Sequence, residues 1–567
     1  MSRFTRTNYK IYFKSKGEPM LWLTGGGMLV ALLMIIFLIY FIVRNGIANF
    51  WPDPISYFET VQGEKFMGEV TKRERYVIQS SADKDEKVYG VRYLVRIGNF
   101  ELTNEHFKWL KDSEIVKESK PKYAMVLERL EWGRFYGFPY KFKIGDEVIA
   151  DNIDGILKNY DKYHDEMRRL WKQKVNIEKK QIGKLNHLIE KERLKYRKVE
   201  LKLKKAKLSG DKGKISEIEK EYLIVKKDFE RFMEWSKKEY DSYIDKIALL
   251  KNKYERYSIT FKTADGREKD VKLFEIVRGY RGNDLSLMDK MGIYFDRWVE
   301  FLTDDPREAN SEGGVFPAIF GTIVMTLLMS IFVVPFGVVA AIYMKEYAKS
   351  GKIISMLRIA INNLAGVPSI VYGVFGVGFF AYTVGASIDN IFYEAKLPNP
   401  TFGTGGILWA SLTLALLTLP VVIVSTEEAI NAVPNSLREG SYACGATKWQ
   451  TIRYIVLPRA MPGIMTGFIL AMSRGAGEVA PLMLVGAVKL APEMPIDGLF
   501  PFVHLERSFM HLGFHIFDLG FQSQNSDAAI PMVYTTTLLL IIIVIVLNVV
   551  AIYIRNRLRK KFIGSIF

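Results

Sequence analysis

Residues 21–43 read LWLTGGGMLVALLMIIFLIYFIV and contain no charged side chain. At a rise of about 1.5 Å per residue, a helix of this length crosses the ~30 Å hydrocarbon layer of a membrane. A cleaved signal peptide normally has an apolar region of only about 7–15 residues, followed by small residues at the cleavage site. Here the apolar run is longer, and Arg44, Asn45 and Gly46 follow it. The stretch therefore predicts a retained transmembrane helix, span 1.

Five further apolar runs appear only after Glu312, and each is long enough to cross a membrane. Spans 2 to 6 are predicted at Gly313–Met344, Ile359–Ile388, Leu397–Thr426, Met461–Val488 and Ala528–Ile554. The average composition of the 567 residues, 49% hydrophobic and 25% charged, hides this division between apolar runs and a charged segment. The expected fold is an all-α polytopic membrane protein whose main membrane domain, residues 313–555, follows a large charged insert.

The distribution of lysine and arginine predicts the orientation in the membrane. Four segments that share one side hold 18 basic residues, whereas the two short loops on the other side hold Lys396, Lys489 and Arg507. Basic residues concentrate in cytoplasmic loops. We therefore expect a multi-pass protein of a bacterial plasma membrane with residues 1–20 and 556–567 in the cytoplasm. Residues 44–312 are expected on the extracytoplasmic side.

The insert 44–312 is predicted to be an α+β domain with a long coiled-coil hairpin. Between residues 157 and 256, apolar side chains recur by four and three, as in Leu185, Ile189, Tyr196 and Val199. The turn is expected at residues 209–213, and strand-like segments with a hairpin at Ala264-Asp265-Gly266 flank the helices. The insert shows no catalytic constellation, and its charge is not gathered into a nucleic-acid surface. Neither an enzyme nor a nucleic-acid partner is therefore expected.

The loop between spans 4 and 5 carries a motif. Residues 436–458 read SLREGSYACGATKWQTIRYIVLP. This resembles the EAA loop of ABC importer permeases, which has the pattern Glu-Ala-Ala, three residues, Gly, nine residues, Ile, any residue, Leu-Pro. The matching positions are Glu439, Gly440, Ser441, Gly445, Ile455, Leu457 and Pro458. Two small residues replace the alanines, and Leu-Pro is expected to close the element before span 5. The resemblance implies a coupling helix that docks on a separate ATPase subunit, because the chain has no Gly-x4-Gly-Lys-Ser/Thr nucleotide motif.

Two further segments resemble phosphate permeases of the same family. Residues 366–373 read GVPSIVYG, and residues 474–482 read RGAGEVAPL, similar to the A-type permease subunit of phosphate-specific transport systems. The resemblance implies the fold of type I ABC importers, no bound cofactor or metal, and several partners. These are two ATPase subunits, a second homologous permease and an extracytoplasmic phosphate-binding protein.

The candidate pathway residues are the charged pair of span 5 and two polar residues of span 3. Arg474 and Glu478 lie four residues apart, which predicts one helix face, and an ionisable residue inside a membrane often marks a pathway or a buried pair. Arg474 is expected to attract the oxyanion while Glu478 holds it, with Ser369 and Tyr372 as neutral hydrogen-bonding groups. The alternative for the charged pair is a role in packing alone.

Two other functions remain open at this stage. An ABC permease for another oxyanion, such as molybdate or phosphonate, would carry the same loop and a similar arginine. A membrane-anchored signalling or scaffold protein would instead use the coiled coil of residues 157–256 as its working part. Deleting that hairpin would abolish the function of a scaffold protein but would leave basic transport by a permease intact.

Overall fold

The computed structural model describes residues 18–80, 87–210, 212–349, 351–523 and 526–563. The predicted cytoplasmic segment 1–20 lies almost entirely outside these residues, as do the last four residues of segment 556–567. The described chain divides into a helical membrane region and an α+β insert between spans 1 and 2, which confirms the expected fold class.

Six helices of the described residues are long and apolar enough to cross a membrane. Spans 1 to 6 are Trp22–Ala48, Phe316–Tyr347, Ser369–Phe392, Ile407–Asn431, Lys448–Gly477 and Ala529–Arg557. Shorter helices of the membrane region are Lys352–Leu364, Asn435–Ala443, Ala480–Val485 and Leu512–Phe517. The number of spans agrees with the number of apolar runs in the sequence.

The predicted starts of spans 3 and 4 are wrong by about ten residues each. Span 3 begins at Ser369 rather than Ile359, because Pro368 disfavours a helical conformation at the residue before it. The residues before that break form the separate helix Lys352–Leu364. Span 4 begins at Ile407 rather than Leu397, after a proline- and glycine-rich loop. An apolar run therefore does not by itself locate the first helical residue.

Close packing of the spans depends on small residues. A methyl group on Gly467 would overlap the Ser425 side chain, and one on Gly463 would lie 2.5 Å from the Cβ of Ala429. These contacts bring spans 4 and 5 together along two turns, as small residues do between membrane helices. Span 1 packs against span 6, where the Thr535 hydroxyl donates a 3.0 Å hydrogen bond to the Gly46 carbonyl.

The insert contains two large antiparallel sheets and, at its end, a two-stranded one formed by Pro306–Arg307 and Glu312–Gly313. The first has the spatial order β4-β3-β2-β1-β5 and comprises β1 Ile55–Thr60, β2 Lys65–Ser80, β3 Lys87–Arg96, β4 Phe107–Lys111 and β5 Ile115–Ser119. The second has the order β10-β9-β7-β6-β11, with β8 also paired to β7. Its strands are β6 Met125–Arg129, β7 Phe135–Ile144, β8 Glu147–Ala150, β9 Tyr257–Lys262, β10 Glu268–Lys272 and β11 Ile276–Arg281. β9 and β10 form the hairpin that the sequence predicts around Asp265.

A long helical hairpin, here called the hairpin arm, separates β8 from β9. Its first half runs through Ile153–Asn176, a π-helical segment Ile177–Ile182 and Gly183–Ser209, and its second half is Lys212–Tyr254. The predicted apolar seam is buried between the two halves, including Leu185, Val199 and Leu203. The Tyr196 and Tyr222 hydroxyl groups are hydrogen-bonded to each other across it at 2.8 Å. The arm is therefore an insertion between two strands of the second sheet.

A buried charge cluster ties the insert to the membrane region. Arg297, on the helix Leu287–Thr303, pairs with Glu128 of β6 at 2.5 Å and donates a 2.9 Å hydrogen bond to the Phe50 carbonyl just after span 1. Burial acts to raise the pKa of Glu128, but Arg297 and Arg278 outweigh it and hold the pKa well below its usual range. Glu128 is therefore charged in the folded insert.

Candidate translocation and coupling site

Span 5 is interrupted after Gly477. Its helix stops at Gly477, and Glu478 has an extended backbone with φ −77° and ψ 137°. The helix resumes as Ala480–Val485, with Pro481 in the first turn. Because Pro481 has no N–H, it cannot continue the hydrogen-bond ladder of the helix. Gly477 weakens the last turn before the break. The predicted single span Met461–Val488 is therefore wrong.

Arg474 and Glu478 form an ion pair across this interruption. Their side chains lie 3.6 Å apart, Nε to Oε1, but not on one helix face as predicted, because Glu478 lies beyond the helix end. Arg474 occupies the last helical turn, where the partial negative charge of the helix terminus favours a cation. The side chains remain 38% and 22% exposed. The guanidinium is thus only loosely paired and still accessible within this subunit.

The start of span 3 packs against the same interruption. A methyl group on Gly373 would lie 2.8 Å from the Cα of Pro481. Tyr372, one residue earlier, is 4% exposed, and its hydroxyl donates a 2.7 Å hydrogen bond to the Leu364 carbonyl. Ser369 is half-buried one turn before it. The structure therefore brings span 3 close to the charged pair. The Tyr372 hydroxyl, however, is hydrogen-bonded to the backbone rather than free to line an open pathway.

Span 2 contacts the interruption from the other side. A methyl group on Gly475 would overlap the sulfur of Met329, so span 2 approaches span 5 closely at this glycine. Gly477, two residues later, faces open space instead. The Ser473 hydroxyl donates a 2.8 Å hydrogen bond to the Asn548 amide oxygen of span 6. Sequence reasoning missed this bond, although Asn548 is a single amide in a long apolar run.

The predicted coupling loop folds as a short helix and the first turns of span 5, joined by a glycine turn. The helix Asn435–Ala443 contains Glu439, Gly440 and Ser441. Gly445 then adopts φ +79°, a left-handed conformation that L side chains rarely adopt. Thr447 caps the next helix by accepting a hydrogen bond from the Gln450 N–H. The matched glycine of the motif is therefore required by the backbone.

The end of the motif lies inside a helix. Leu457 and Pro458 continue the helix of span 5, which begins at Lys448, so the prediction that Leu-Pro closes the element is wrong. The segment Ile452–Val456 is π-helical. Its wider turn changes the carbonyl spacing just before the proline, which is how the helix accommodates a residue without an N–H.

The loop is anchored to the end of span 2. Arg438 pairs with Glu346 at 3.2 Å and donates hydrogen bonds of 2.8 and 2.7 Å to the Ile430 and Val433 carbonyls. The Lys448 ammonium donates to the Glu346 carbonyl. Sequence reasoning missed both basic residues, although Arg438 directly precedes the motif. The loop, the end of span 4 and the end of span 2 are therefore held as one unit.

One face of the loop is left uncovered. Glu439, Tyr442, Trp449 and Tyr454 are exposed, the last two at 55% and 68%. By contrast, the Ser441 hydroxyl is buried in a 2.8 Å hydrogen bond with Thr451. Ser441 therefore closes the loop on itself, whereas the aromatic residues and Glu439 remain available to another protein. Exposed aromatic side chains are enriched in protein interfaces.

The membrane region matches a known family. The family model described as "Binding-protein-dependent transport system inner membrane component" matches residues 333–564. A relative from Bacillus subtilis, "Probable ABC transporter permease protein YqgH", is 38% identical over 35% of this chain and 62% of its own length. "Phosphate transport system permease protein PstA" of Mycobacterium leprae is 39% identical over 36% of this chain and 62% of its own length. The chain thus covers less than two thirds of each of these two relatives.

A third relative is covered more fully. "Probable phosphate transport system permease protein PstA" of Methanocaldococcus jannaschii is 32% identical over 38% of this chain and 69% of its own length. Among solved structures, the inward-facing MetNI methionine ABC transporter matches 42% of this chain and 94% of its own chain at 20% identity, with a TM-score of 0.32. By its matched residues and this relative, the chain belongs to the family of binding-protein-dependent transport system inner membrane components, the permeases of ABC transporters.

Proposed function

We propose that this chain is one permease subunit of an ATP-driven importer for inorganic phosphate and forms half of its translocation pathway. The observation that carries the proposal is Arg474, which lies about 24 Å along span 5 from Pro458 at 1.5 Å per residue and is still 38% exposed. The relatives from Mycobacterium leprae and Methanocaldococcus jannaschii, both described as phosphate transport permeases, support the choice of anion.

The exposure of Arg474 argues for a water-filled pathway. A charged side chain facing lipid at this depth costs several kcal/mol, so such residues face the bundle interior or a hydrated cavity. Two permease subunits that close around the interruption in span 5 provide such a cavity. An arginine fork forms two parallel hydrogen bonds to a tetrahedral oxyanion, which a lysine ammonium does not.

Glu478 and the span 3 residues support this arginine in different ways. The 3.6 Å separation from Glu478 is longer than a hydrogen bond, so it orients the guanidinium without occupying its donors. Ser369 is half-buried near the interruption and supplies a neutral hydroxyl to the pathway. Tyr372 positions the start of span 3, because its hydroxyl is bound to the Leu364 carbonyl.

Coupling to ATP hydrolysis would pass through the loop 436–458. Two ATPase subunits would each grip one such loop, one from this chain and one from a second homologous permease. Movement of the loop pulls on span 2 through the Arg438–Glu346 pair. Span 2 contacts Gly475 through Met329, next to Arg474. The contacts thus link the docking face to the pathway, so that closure of the ATPases switches access from one side to the other.

The orientation and the remaining partners complete the proposal. Both termini and the loop 436–458 lie in the cytoplasm, and residues 44–312 lie outside. An extracytoplasmic phosphate-binding protein delivers the anion to the outer mouth. The chain itself has no catalytic step, since ATP is hydrolysed by the separate subunits.

Reconstitution with the candidate ATPase, second permease and binding protein tests the proposal. We expect phosphate to stimulate ATP hydrolysis and labelled phosphate to enter the vesicles. Arg474→Ala should lower uptake more than 100-fold, about 3 kcal/mol, while the complex still assembles, and Arg474→Lys should restore only part of it. Arg555→Ala, at the end of span 6, is the control. Normal uptake by Arg474→Ala would refute the pathway assignment.

Competition experiments separate the substrate alternatives. Unlabelled phosphate should reduce uptake of labelled phosphate at much lower concentration than molybdate or a phosphonate does. A reversed order would assign the permease to that other oxyanion. Deleting residues 157–256 should leave transport in place, whereas a scaffold protein that works through its coiled coil would lose all function.

A further inference from the structure

The positive charge of the insert is concentrated in the hairpin arm. Residues 157–256 contain 30 lysines and arginines against 18 acidic residues, whereas the rest of 44–312 contains 27 against 31. Within the arm the excess is greatest towards the tip, where residues 198–214 hold seven lysines and two acidic residues. Lys202 and Lys207 pair at 3.7 Å with Glu221 and Glu219 of the second half, whereas Lys198 and Lys204 are exposed. The tip is therefore more basic than the rest of the insert, which outside residues 198–214 holds 50 basic and 47 acidic residues.

The first half of the arm has a second face besides its buried seam. Leu194, Lys198, Leu201, Lys205 and Leu208 recur by four and three, so they lie on one side of the helix. This side is distinct from the seam, where Val199 and Leu203 are buried. The two lysines are exposed, and Leu208 at the tip is 81% exposed. The pattern of leucines flanked by lysines is typical of helices that lie at a membrane surface.

Contacts with the membrane region determine how deep this face lies relative to the end of span 3. The Lys205 ammonium lies 2.5 Å from a carboxylate oxygen of Glu394, which follows the end of span 3 by two residues. At that end, Ile391 and Phe392 are 71% and 69% exposed. Closer to its base, the arm is held by a 2.6 Å pair between Lys179 and Asp305. The arm therefore folds down along the membrane region, and its tip reaches the depth where span 3 leaves the hydrocarbon.

We propose that the tip of the hairpin arm binds anionic phospholipid headgroups in the leaflet on its own side of the membrane. Lys198 and Lys204, which are exposed, contact lipid phosphates, and Leu208 inserts below them. Each lysine near an anionic surface raises binding about fivefold. An acidic protein partner would satisfy the lysines but not the exposed leucine, which lies at headgroup depth.

The experiment uses the complete chain in lipid nanodiscs with one reporter. In a Cys444→Ser background, which removes the only native cysteine, Leu208→Cys is labelled with an environment-sensitive fluorophore. Discs of phosphatidylcholine alone are compared with discs of equimolar phosphatidylcholine and phosphatidylglycerol. We expect a blue shift and quenching by a headgroup-labelled lipid only in the anionic discs, and loss of both at high salt. The matched control is Ile224→Cys, which is 63% exposed on the other half of the arm and should not respond.

Charge variants test the role of the lysines. Lys198→Gln with Lys204→Gln should weaken the interaction of the tip with anionic lipid about 25-fold. Lys237→Gln with Lys238→Gln removes the same charge from exposed positions on the second half and should have no effect. The proposal is overturned if position 208 is as water-exposed as position 224 in anionic discs. It is also overturned if the label responds equally to both lipids, or only when the extracytoplasmic binding protein is added.

Discussion

The insert and the membrane region differ in which side chains they bury, because one faces water and the other faces lipid. In the insert, charged groups are buried and matched within the chain, as in Arg297 and Glu128, whose side chains are 5% and 6% exposed. In span 1, every residue from Trp22 to Tyr40 is exposed, including the largest apolar side chains. Water forces the insert to bury its apolar surface, whereas lipid covers span 1 at no cost. The insert thus matches its buried charges within the chain, whereas span 1 leaves its apolar surface to lipid.

We expect the largest destabilisation of the insert when the charge of its buried Glu128 is removed. Glu128→Gln leaves Arg297 and Arg278 without their shared partner, and removing one member of a buried pair costs about 3–5 kcal/mol. Amide hydrogen exchange in β6 and β11 of the full chain in nanodiscs should accelerate at least 100-fold. The exposed neighbour Glu131→Gln is the control. Unchanged exchange would show that the cluster does not stabilise the sheet.

Acidification should weaken the same cluster while leaving the spans unaffected. The Arg297 and Arg278 guanidinium groups hold the pKa of Glu128 low against its burial, and Arg134 does the same for Glu69. Their stabilisation is present above the unfolded pKa of about 4.3 and is lost as the pH falls below it. Burial raises the pKa of Glu300, which acts in the opposite direction.

Amide protection factors, which correct exchange for its intrinsic pH dependence, should therefore fall progressively in the sheets of the insert below about pH 4. Protection factors in span 4 measured on the same samples should stay constant. A simultaneous fall in both regions would indicate that the two parts unfold as one unit rather than independently.

The membrane region should be sensitive to added volume rather than to lost charge. Gly467→Leu forces spans 4 and 5 apart at Ser425 and should destabilise the chain by about 1–3 kcal/mol. The melting temperature in detergent should fall by several degrees. Gly25→Leu in span 1, where nothing lies within 4 Å, should leave it unchanged. Equal effects of the two substitutions would contradict the role of small residues in packing the spans.

Two glycines of the coupling loop offer the smallest and most local test. Both face open space, but Gly445 has φ +79° and Gly440 is helical. Gly445→Ala should cost about 1–2 kcal/mol through backbone strain, whereas Gly440→Ala should stabilise the helix by about 0.5–1 kcal/mol. Hydrogen exchange over residues 440–447 should change in opposite directions. A change in the same direction would mean that contacts rather than backbone conformation govern the loop.

Sequence reasoning located those features that depend on local pattern. The length of an apolar run predicts a span, and spacing by four and three predicts the seam with Leu185 and Val199, since both patterns act within one or two helices. The motif also located Gly445, whose φ of +79° is a conformation that glycine adopts readily. The same reasoning failed at Glu478 and at Leu457-Pro458. There the end of a helix depends on whether the nearby glycine and proline residues or the surrounding packing has the stronger effect.

The amino-acid sequence by itself determined six membrane crossings, an insert between the first two and a long hairpin within it, because hydrophobic length and periodicity are local properties. The tertiary structure decided where span 5 breaks, that Arg474 stays accessible beside that break, and that Lys205 meets Glu394. These features join residues from different elements, the last two 189 positions apart. Their geometry is set by how helices pack across distance, which no run of neighbouring residues specifies.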